Sequence, residues 1–454
     1  MPPIKSSFLE LLASFRPVFR GPVFRNFVVL AIGAVLNQGR QTVCNILRIY
    51  PWRIEKSWSS FHHFFSTVHW SPLALSKILC SLILSRIPSD QEVILIADDT
   101  LIRRWGRNVF RISVHRDPVR SGKGQNTVYA RGHEWLVLSI GFKAPHRSRV
   151  WALPVLIFPE VPQKVFDQER VKTGKRVGHY RSPTRWITLG LRLLRRWFPA
   201  RRFLLLADGS LNTHELHRFV ATDPQVEVIG HCRMDTVLHD PPPQHPSGKR
   251  GRPRKIGARL PSPGEAAADA NAAWEKETCH WYGNGDKEQW LLSGTACWYR
   301  PGEQVPTVKW VVIRDPERKN KDIALSTSSQ RMAANAVVST YVTRWAIETT
   351  FEEARKHLKL ETAENWSKKS IQRTVPVLFG LFSLIVLWFC QQPQKTHVFR
   401  TDWYHKMEPS FSDAMMLLRS ELWLQAIFPE SKSLRGFLKK NQEIFKFIIY
   451  KAAA

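Results

Sequence analysis

Three carboxylates are the residues in this chain best placed to do chemistry. Asp98 follows Ile94-Leu95-Ile96-Ala97, and Asp208 follows Leu204-Leu205-Leu206-Ala207. Each therefore stands directly after a short continuous apolar run, the pattern of a strand buried on both faces. If the two strands are neighbours, their carboxylates converge and repel unless a cation lies between them. Hard divalent ions with oxygen ligands, Mg²⁺ or Mn²⁺, suit that position. An aspartate that ends a strand can equally begin a turn or cap a helix. Asp99 offers the same group one step further on and remains an alternative for the first position.

The third carboxylate, Glu348, falls on a long helical pattern from about Met332 to Leu358. At 100° per residue, Tyr341, Arg344, Glu348 and Arg355 lie within about 60° of one another on its surface. A solvated face with an i,i+4 pair between Arg344 and Glu348 explains that spacing without any function. Three converging carboxylates, however, meet the need of two-metal catalysis. There, ions roughly 3.5 to 4 Å apart clamp the attacking and leaving oxygens of an in-line phosphoryl transfer. A neighbouring tyrosine hydroxyl and guanidinium would then hold DNA phosphates.

These side chains need a scaffold, and the apolar pattern supplies one. Residues 1–88 read as helical, with Phe8, Leu11, Leu12 and Phe15, and later Leu75, Ile78, Leu79 and Leu82, at helical spacing. Basic and aromatic residues alternate there through Arg40, Arg48, Trp52, Arg53, Trp58 and His62. A small DNA-gripping helical domain fits this, and so does plain helical packing. From Glu92 onward the texture is that of a mixed α/β sheet. Strands are expected at 93–97, 135–142 and 150–158, then a helix entered through Ser182 and Pro183, a strand at 203–207, a short helix at 212–220 and a strand at 226–232. Residues 236–272 are rich in proline, glycine and charge. Arg250-Gly251-Arg252-Pro253 within them resembles a minor-groove-reading AT-hook. A basic linker without fixed structure accounts for that composition equally well. Strand-like runs return at 289–293, 296–300 and 308–313, forming a β-rich insertion closed by Ile323 to Ser326.

Charge narrows the partner. The 454 residues carry 67 Lys and Arg against 38 Asp and Glu, a net charge of +29. Such an excess repels itself unless an anionic partner offsets it, and nucleic acid releases a counterion for each phosphate neutralised. A membrane surface is the competing reading. The apolar stretch Val375 to Cys390 is shorter than the ~20 residues that span a bilayer, so a buried core helix is expected and no membrane. The six cysteines show no Cys-x-x-Cys spacing, which argues against structural zinc and fits reduced intracellular thiols. No signal peptide is read at the N-terminus.

Taken together, these residues resemble the bacterial insertion-sequence DDE transposases that carry a Tyr-x-x-Arg-x-x-x-Glu-(six residues)-Lys signature. Asp98-Asp99-Thr100 looks like their first-aspartate motif, and Leu206-Ala207-Asp208-Gly209 like the second-aspartate strand. Tyr341, Arg344 and Glu348 match the signature, with Trp345 after the arginine. Arg355, followed by Lys356, stands where the signature has lysine. The resemblance covers roughly residues 60–390.

The resemblance implies a ribonuclease-H-like core at 89–235 and 329–390, interrupted by a linker and β-rich insertion at 236–328. A helical DNA-binding domain at 1–88 would precede it and C-terminal helices at 391–454 would follow. Asp98, Asp208 and Glu348 would be the catalytic residues and would hold two Mg²⁺ or Mn²⁺ ions. Thr100, Arg103, Arg104, Arg250, Arg252, Tyr341, Arg344, Trp345, Arg355 and Lys356 would contact DNA. Arg103, Arg104, Arg107 and Arg111 would line a basic groove leading to the triad. Hydrolysis at an element end would leave a 3′-hydroxyl that attacks target DNA directly. Relatives pass through a DNA hairpin with a flipped base on tryptophan, and Trp290, Trp298, Trp310 and Trp345 are the candidates. The implied partners are double-stranded terminal repeats, target DNA and a second copy of the chain, in a nucleoid-associated cytoplasmic location. A ribonuclease-H-like nuclease without strand transfer, or a non-catalytic DNA-binding descendant, are the alternatives.

Overall fold

A computed structural model of the chain describes residues 7–50, 56–121, 126–144, 148–174, 177–243, 254–282, 285–393 and 406–427. The segment with Arg250 and Arg252 lies outside the described residues, as do Trp52 and Arg53. Five helices open the chain: α1 (Ser7–Ala13), α2 (Gly21–Leu36), α3 (Val43–Arg48), α4 (Trp58–Ser66) and α5 (Pro72–Leu84). Proline in the first turn begins α2 and α5, where its missing N–H costs no helical bond.

The catalytic-type sheet follows as β1 (Val93–Arg103), β2 (Ser113–Arg116), β3 (Tyr129–Lys143), β4 (Val150–Glu160), α6 (Gln163–Thr173), α7 (Pro183–Trp197), β5 (Phe203–Ala207), α8 (His214–Val220) and β6 (Val226–Cys232). Strand β3 is antiparallel to both β1 and β4, while β1, β5 and β6 run parallel. The order β4-β3-β1-β5-β6 is that of a ribonuclease-H-like sheet. The Ser182 hydroxyl caps α7 by accepting from Arg185 N at 3.3 Å, and Pro183 follows, as the sequence predicts.

The β-rich insertion is not a separate module. It comprises β7 (Leu238–His239), β8 (Arg259–Leu260), α9 (Pro263–Ala268), β9 (Glu275–His280), β10 (Asp286–Trp298), β11 (Thr307–Arg314) and β12 (Ile323–Thr327). Strand β12 pairs antiparallel with β6, and β11 and β10 continue outward, so one twelve-stranded sheet results.

Strand alternation sorts the sheet's two faces. Helix α7 covers the face carrying Leu138, Leu156 and Phe158, all of which approach Gly190. The opposite face is covered by α5, by α11 (Ala346–His357) and by α12 (Lys368–Phe389). The N-terminal helices share one continuous core with β4, α12 and α13 (Phe411–Ile427) and have no core of their own. Arg373 of α12, itself buried, ties them in by donating to the carbonyls of Phe65 and Trp70 at 3.2 and 3.1 Å. Helix α12 is apolar enough to cross a membrane, but 78% of its apolar window is buried inside the protein. All six cysteines are free thiols.

The expected long helix at 332–358 is broken. It consists of α10 (Ala334–Val342), a 3-10 turn at Thr343–Trp345, and α11. The tightened turn carries Arg344, whose side chain reaches Asp98 on β1.

Candidate active site

Strand β1 continues past the point where an aspartate-terminated strand was expected, so Asp98 and Asp99 lie within it. What ends there is its parallel neighbour. The ladder between β1 and β5 closes at Ala97 opposite Ala207, which puts Asp98 and Asp208 at equivalent positions on adjacent strands. Neighbouring strands lie about 4.8 Å apart, so the two residues share one rim of the sheet. Glu348 arrives from α11. Arg344 bridges the set: its Nη1 lies 2.5 Å from Asp98 Oδ2 and 3.8 Å from Glu348 Oε1. Asp208 also plays the turn-forming role. Its Oδ1 accepts from Ser210 N and Oγ at 2.5 and 2.7 Å.

The choice between Asp98 and Asp99 follows from alternation. Asp98 faces Arg344 and Glu348. Asp99 points to the other face of the sheet, where it is hydrogen-bonded with Glu134 and close to Glu160. Glu134 in turn contacts His115 Nδ1 at 3.0 Å.

Electrostatics mark the cluster as short of positive charge. Burial pushes the Asp98 carboxyl up to about 8; Arg344 opposes this, while Glu348, Asp99 and Asp208 reinforce it. Burial likewise pushes Asp99 up to about 7, helped by its bond to Glu134. A hard divalent ion would relieve that crowding, and the donors are all carboxylate oxygens, so their chemistry suits such an ion. Among the described residues no group of three such side chains is drawn to ligating distance. Arg344 holds Asp98 Oδ2, and the Asp208 turn holds its Oδ1.

The surrounding residues divide into two groups. Tyr341 is buried, its phenol pushed up to about 12 by desolvation, and its ring lies 5.9 Å from the Arg344 guanidinium. Trp345 is 56% exposed and meets Tyr282 edge-on at 6.1 Å. Both rings line a cleft of about 470 Å³ with Lys143, Arg149 and His280. Lys356 and Arg107 are exposed.

The remaining expected DNA contacts are engaged internally, and here the structure corrects the sequence reading. Thr100 is buried and accepts from Arg355 Nη2. Arg355 therefore braces β1 against α11, which leaves Lys356 as the outward cation of the pair. Arg103 is held by Asp117 at 2.8 Å and Glu361 at 3.1 Å. Arg104 is 5% exposed and donates to the Leu360 carbonyl. Arg111 pairs with Glu169 at 2.8 Å and lies over the Phe166 ring. Trp298 packs on His214 and His217, and Trp310 sits against Gly294 and the small insertion cores. Trp290 is half-buried on β10. Of the four tryptophans, Trp345 alone is exposed.

A family model described as "DDE superfamily endonuclease" matches residues 15–288. The chain belongs to the DDE endonuclease superfamily. The matched span contains Asp98 and Asp208 and ends before Glu348, whose place in the site rests on the geometry above. No curated protein matches the sequence. Endonucleases of this superfamily act on DNA and generally use divalent metals, so the basic charge and the carboxylate set have a common explanation.

Sequence reasoning missed His231, Lys143, Arg149 and Tyr282. His231 on β6 approaches the Asp208 turn, its Nδ1 lying 3.1 Å from where a Cβ on Gly209 would be. Burial lowers its pKa, against the Asp208 charge and with that of Arg344. None of the four stands in a local motif; β6 brings His231 beside the Asp208 turn, and tertiary folding gathers Lys143, Arg149 and Tyr282 in the cleft beside Trp345.

Proposed function

We propose that this DDE-superfamily chain is a transposase that cuts at the ends of a mobile element and joins the resulting 3′-hydroxyls to target DNA. Asp98, Asp208 and Glu348 would hold two Mg²⁺ or Mn²⁺ ions. The observation that carries the reading is the register of Ala97 on Ala207 together with the Arg344 bridge from Asp98 to Glu348. Two bound divalent ions would supply Lewis-acid activation of the attacking and leaving oxygens. The chain's own residues supply the rest. Asp98 is held buried and oriented by strand β1. Arg344, displaced from Asp98, becomes a charge-assisted donor to a phosphate oxygen. Tyr341 keeps its proton at neutral pH and can donate. Lys143, Arg149 and Lys356 are outward cations for the DNA backbone, and such contacts fix register without reading sequence. Arg250 and Arg252 would add minor-groove contacts. Two copies of the chain would pair the two element ends.

The test is strand transfer. A labelled fragment from the DNA flanking the gene is incubated with the protein, Mg²⁺ and supercoiled plasmid. Label covalently joined to plasmid supports the reading. Cleaved fragment without joined product leaves a ribonuclease-H-like nuclease, and binding without cleavage leaves a DNA-binding descendant.

A further inference from the structure

We propose that the cleft between the segment after β1 and the segment after α11 is a second nucleic-acid subsite. It takes an unpaired nucleotide, with its base against Trp105 and Trp366 and its phosphate on Arg107. The inference rests on the reading that this chain acts on DNA.

The cleft has a volume of about 510 Å³ and is lined by residues 104–109 and 361–366, with Arg40 at its edge. Trp105 and Trp366 are 72% and 68% exposed. Side chains of that size usually bury most of their surface, so two open to solvent in one cleft mark a contact surface. Both are pre-positioned. The Trp366 carbonyl accepts from Phe110 N at 2.9 Å, and Arg104 N donates to the Arg131 carbonyl at 3.0 Å. Gly106, at φ +117, makes a turn that other residues rarely adopt and sets Trp105 outward.

The charges around the cleft leave a place for an anion. Of its two carboxylates, Glu361 is taken by Arg103 at 3.1 Å and Glu364 by Arg40 at 2.5 Å. Arg107 is exposed and makes no ion pair among the described residues. Arg104 backs the cleft wall, 5% exposed and bonded to the Leu360 carbonyl, and adds positive charge from beneath. An exposed guanidinium with no carboxylate partner is a ready donor to a phosphate oxygen. An anion beside two aromatic faces describes a nucleotide. Inside a duplex the base faces are already stacked, so the occupant is unpaired. At ~3.3 to 3.6 Å per residue, Trp105 lies no more than roughly 25 Å along β1 from Asp98, within reach of one DNA strand.

The experiment measures binding by fluorescence anisotropy, using a short labelled oligothymidylate, the same oligomer made abasic, and a blunt duplex. The parent is compared with Trp105→Ala/Trp366→Ala and Trp105→Phe/Trp366→Phe. The alanine pair should weaken oligothymidylate binding on the order of 5- to 150-fold per stacked base lost. It should leave abasic oligomer and duplex within about twofold, and the phenylalanine pair should recover most of the loss. Both side chains are exposed, so an unchanged melting temperature is expected and reports that the variants fold. If the parent binds duplex but not oligothymidylate, or the alanine pair weakens nothing or weakens all probes alike, the subsite is wrong and the DNA reading stands. If the parent binds no probe, both fail.

Discussion

Replacing Arg344 by alanine should cost stability in a way that depends steeply on pH. Among the described residues Arg344 is the one cation in contact with Asp98, at 2.5 Å, and both side chains are largely buried. With it in place the Asp98 carboxyl already stands at about 8, raised by burial and by its acidic neighbours. Two unit charges ~4 Å apart interact by about 1 to 4 kcal/mol as the effective dielectric falls from ~80 to ~20. Without the guanidinium, the carboxyl therefore rises by roughly one to three further pK units. The sign follows from linkage. The unfolded aspartate ionises near ~3.9, so the folded state holds the extra proton above that pH, and stability falls as pH rises through the folded pKa. At pH 6 Asp98 is protonated in parent and variant alike. At pH 9 the parent has an ionised, paired carboxylate, whereas the variant must keep its proton or bury an unpaired charge. The stability lost on substitution should thus be about 1 to 1.4 kcal/mol larger at pH 9 than at pH 6, because pH 9 lies only about one unit above the parent's value. Urea denaturation in EDTA at the two pH values measures it. A loss that is equal at both, or smaller at pH 9, refutes the claim that Arg344 neutralises Asp98.

Three further outcomes follow from other parts of the structure. Glu160 has a buried Oε1 without a hydrogen-bond partner among the described residues, and burial pushes its carboxyl up to about 8. The parent therefore loses stability as pH climbs from ~4.3 through that value. Glu160→Gln removes this loss, so the melting temperature of the variant should gain on the parent between pH 5 and pH 9; a constant gap contradicts the assignment. A Cβ on Gly230 would lie 2.3 Å from Asn212 Cγ, whose amide donates to the His231 carbonyl and Ser326 Oγ. Gly230→Ala should cost roughly 1 to 3 kcal/mol by chemical denaturation, and an unaltered midpoint contradicts that close approach. Binding to duplex DNA should weaken steeply and log-linearly with salt, and a flat response would detach the +29 charge from nucleic acid.

The sheet was legible because its strands announce themselves. The apolar runs at 93–97 and 203–207 are uninterrupted, and each ends in the same Ala-Asp pair. The helix carrying Glu348 was legible as a helix but not as a broken one. No proline or glycine marks Thr343–Trp345, where the helix tightens and Arg344 reaches Asp98 on β1. The insertion was read as β-rich but not as an extension of the core sheet, because pairing of β12 with β6 is a long-range choice that leaves no local trace. Arginines near the first motif were expected to face DNA. A run of like charges in sequence does not reveal Asp117, Glu169 and Glu361, which fold back to neutralise Arg103, Arg111 and Arg355. Asp98 and Asp99 could not be told apart by type; the parity of β1 separates them.

The central claim is that Asp98, Asp208 and Glu348 form a DNA-cutting centre dependent on a divalent ion. The most direct measurement compares parent and Glu348→Gln on one fragment carrying the gene's flanking DNA, by gel shift and by end cleavage with Mg²⁺. Glutamine keeps the size of the side chain and removes the charge that would hold an ion, a loss that commonly costs orders of magnitude in rate. The account predicts binding within about twofold of the parent and no detectable cleavage by the variant, with parent cleavage abolished by EDTA. Cleavage at the parental rate by Glu348→Gln would remove Glu348 from the centre and contradict the account.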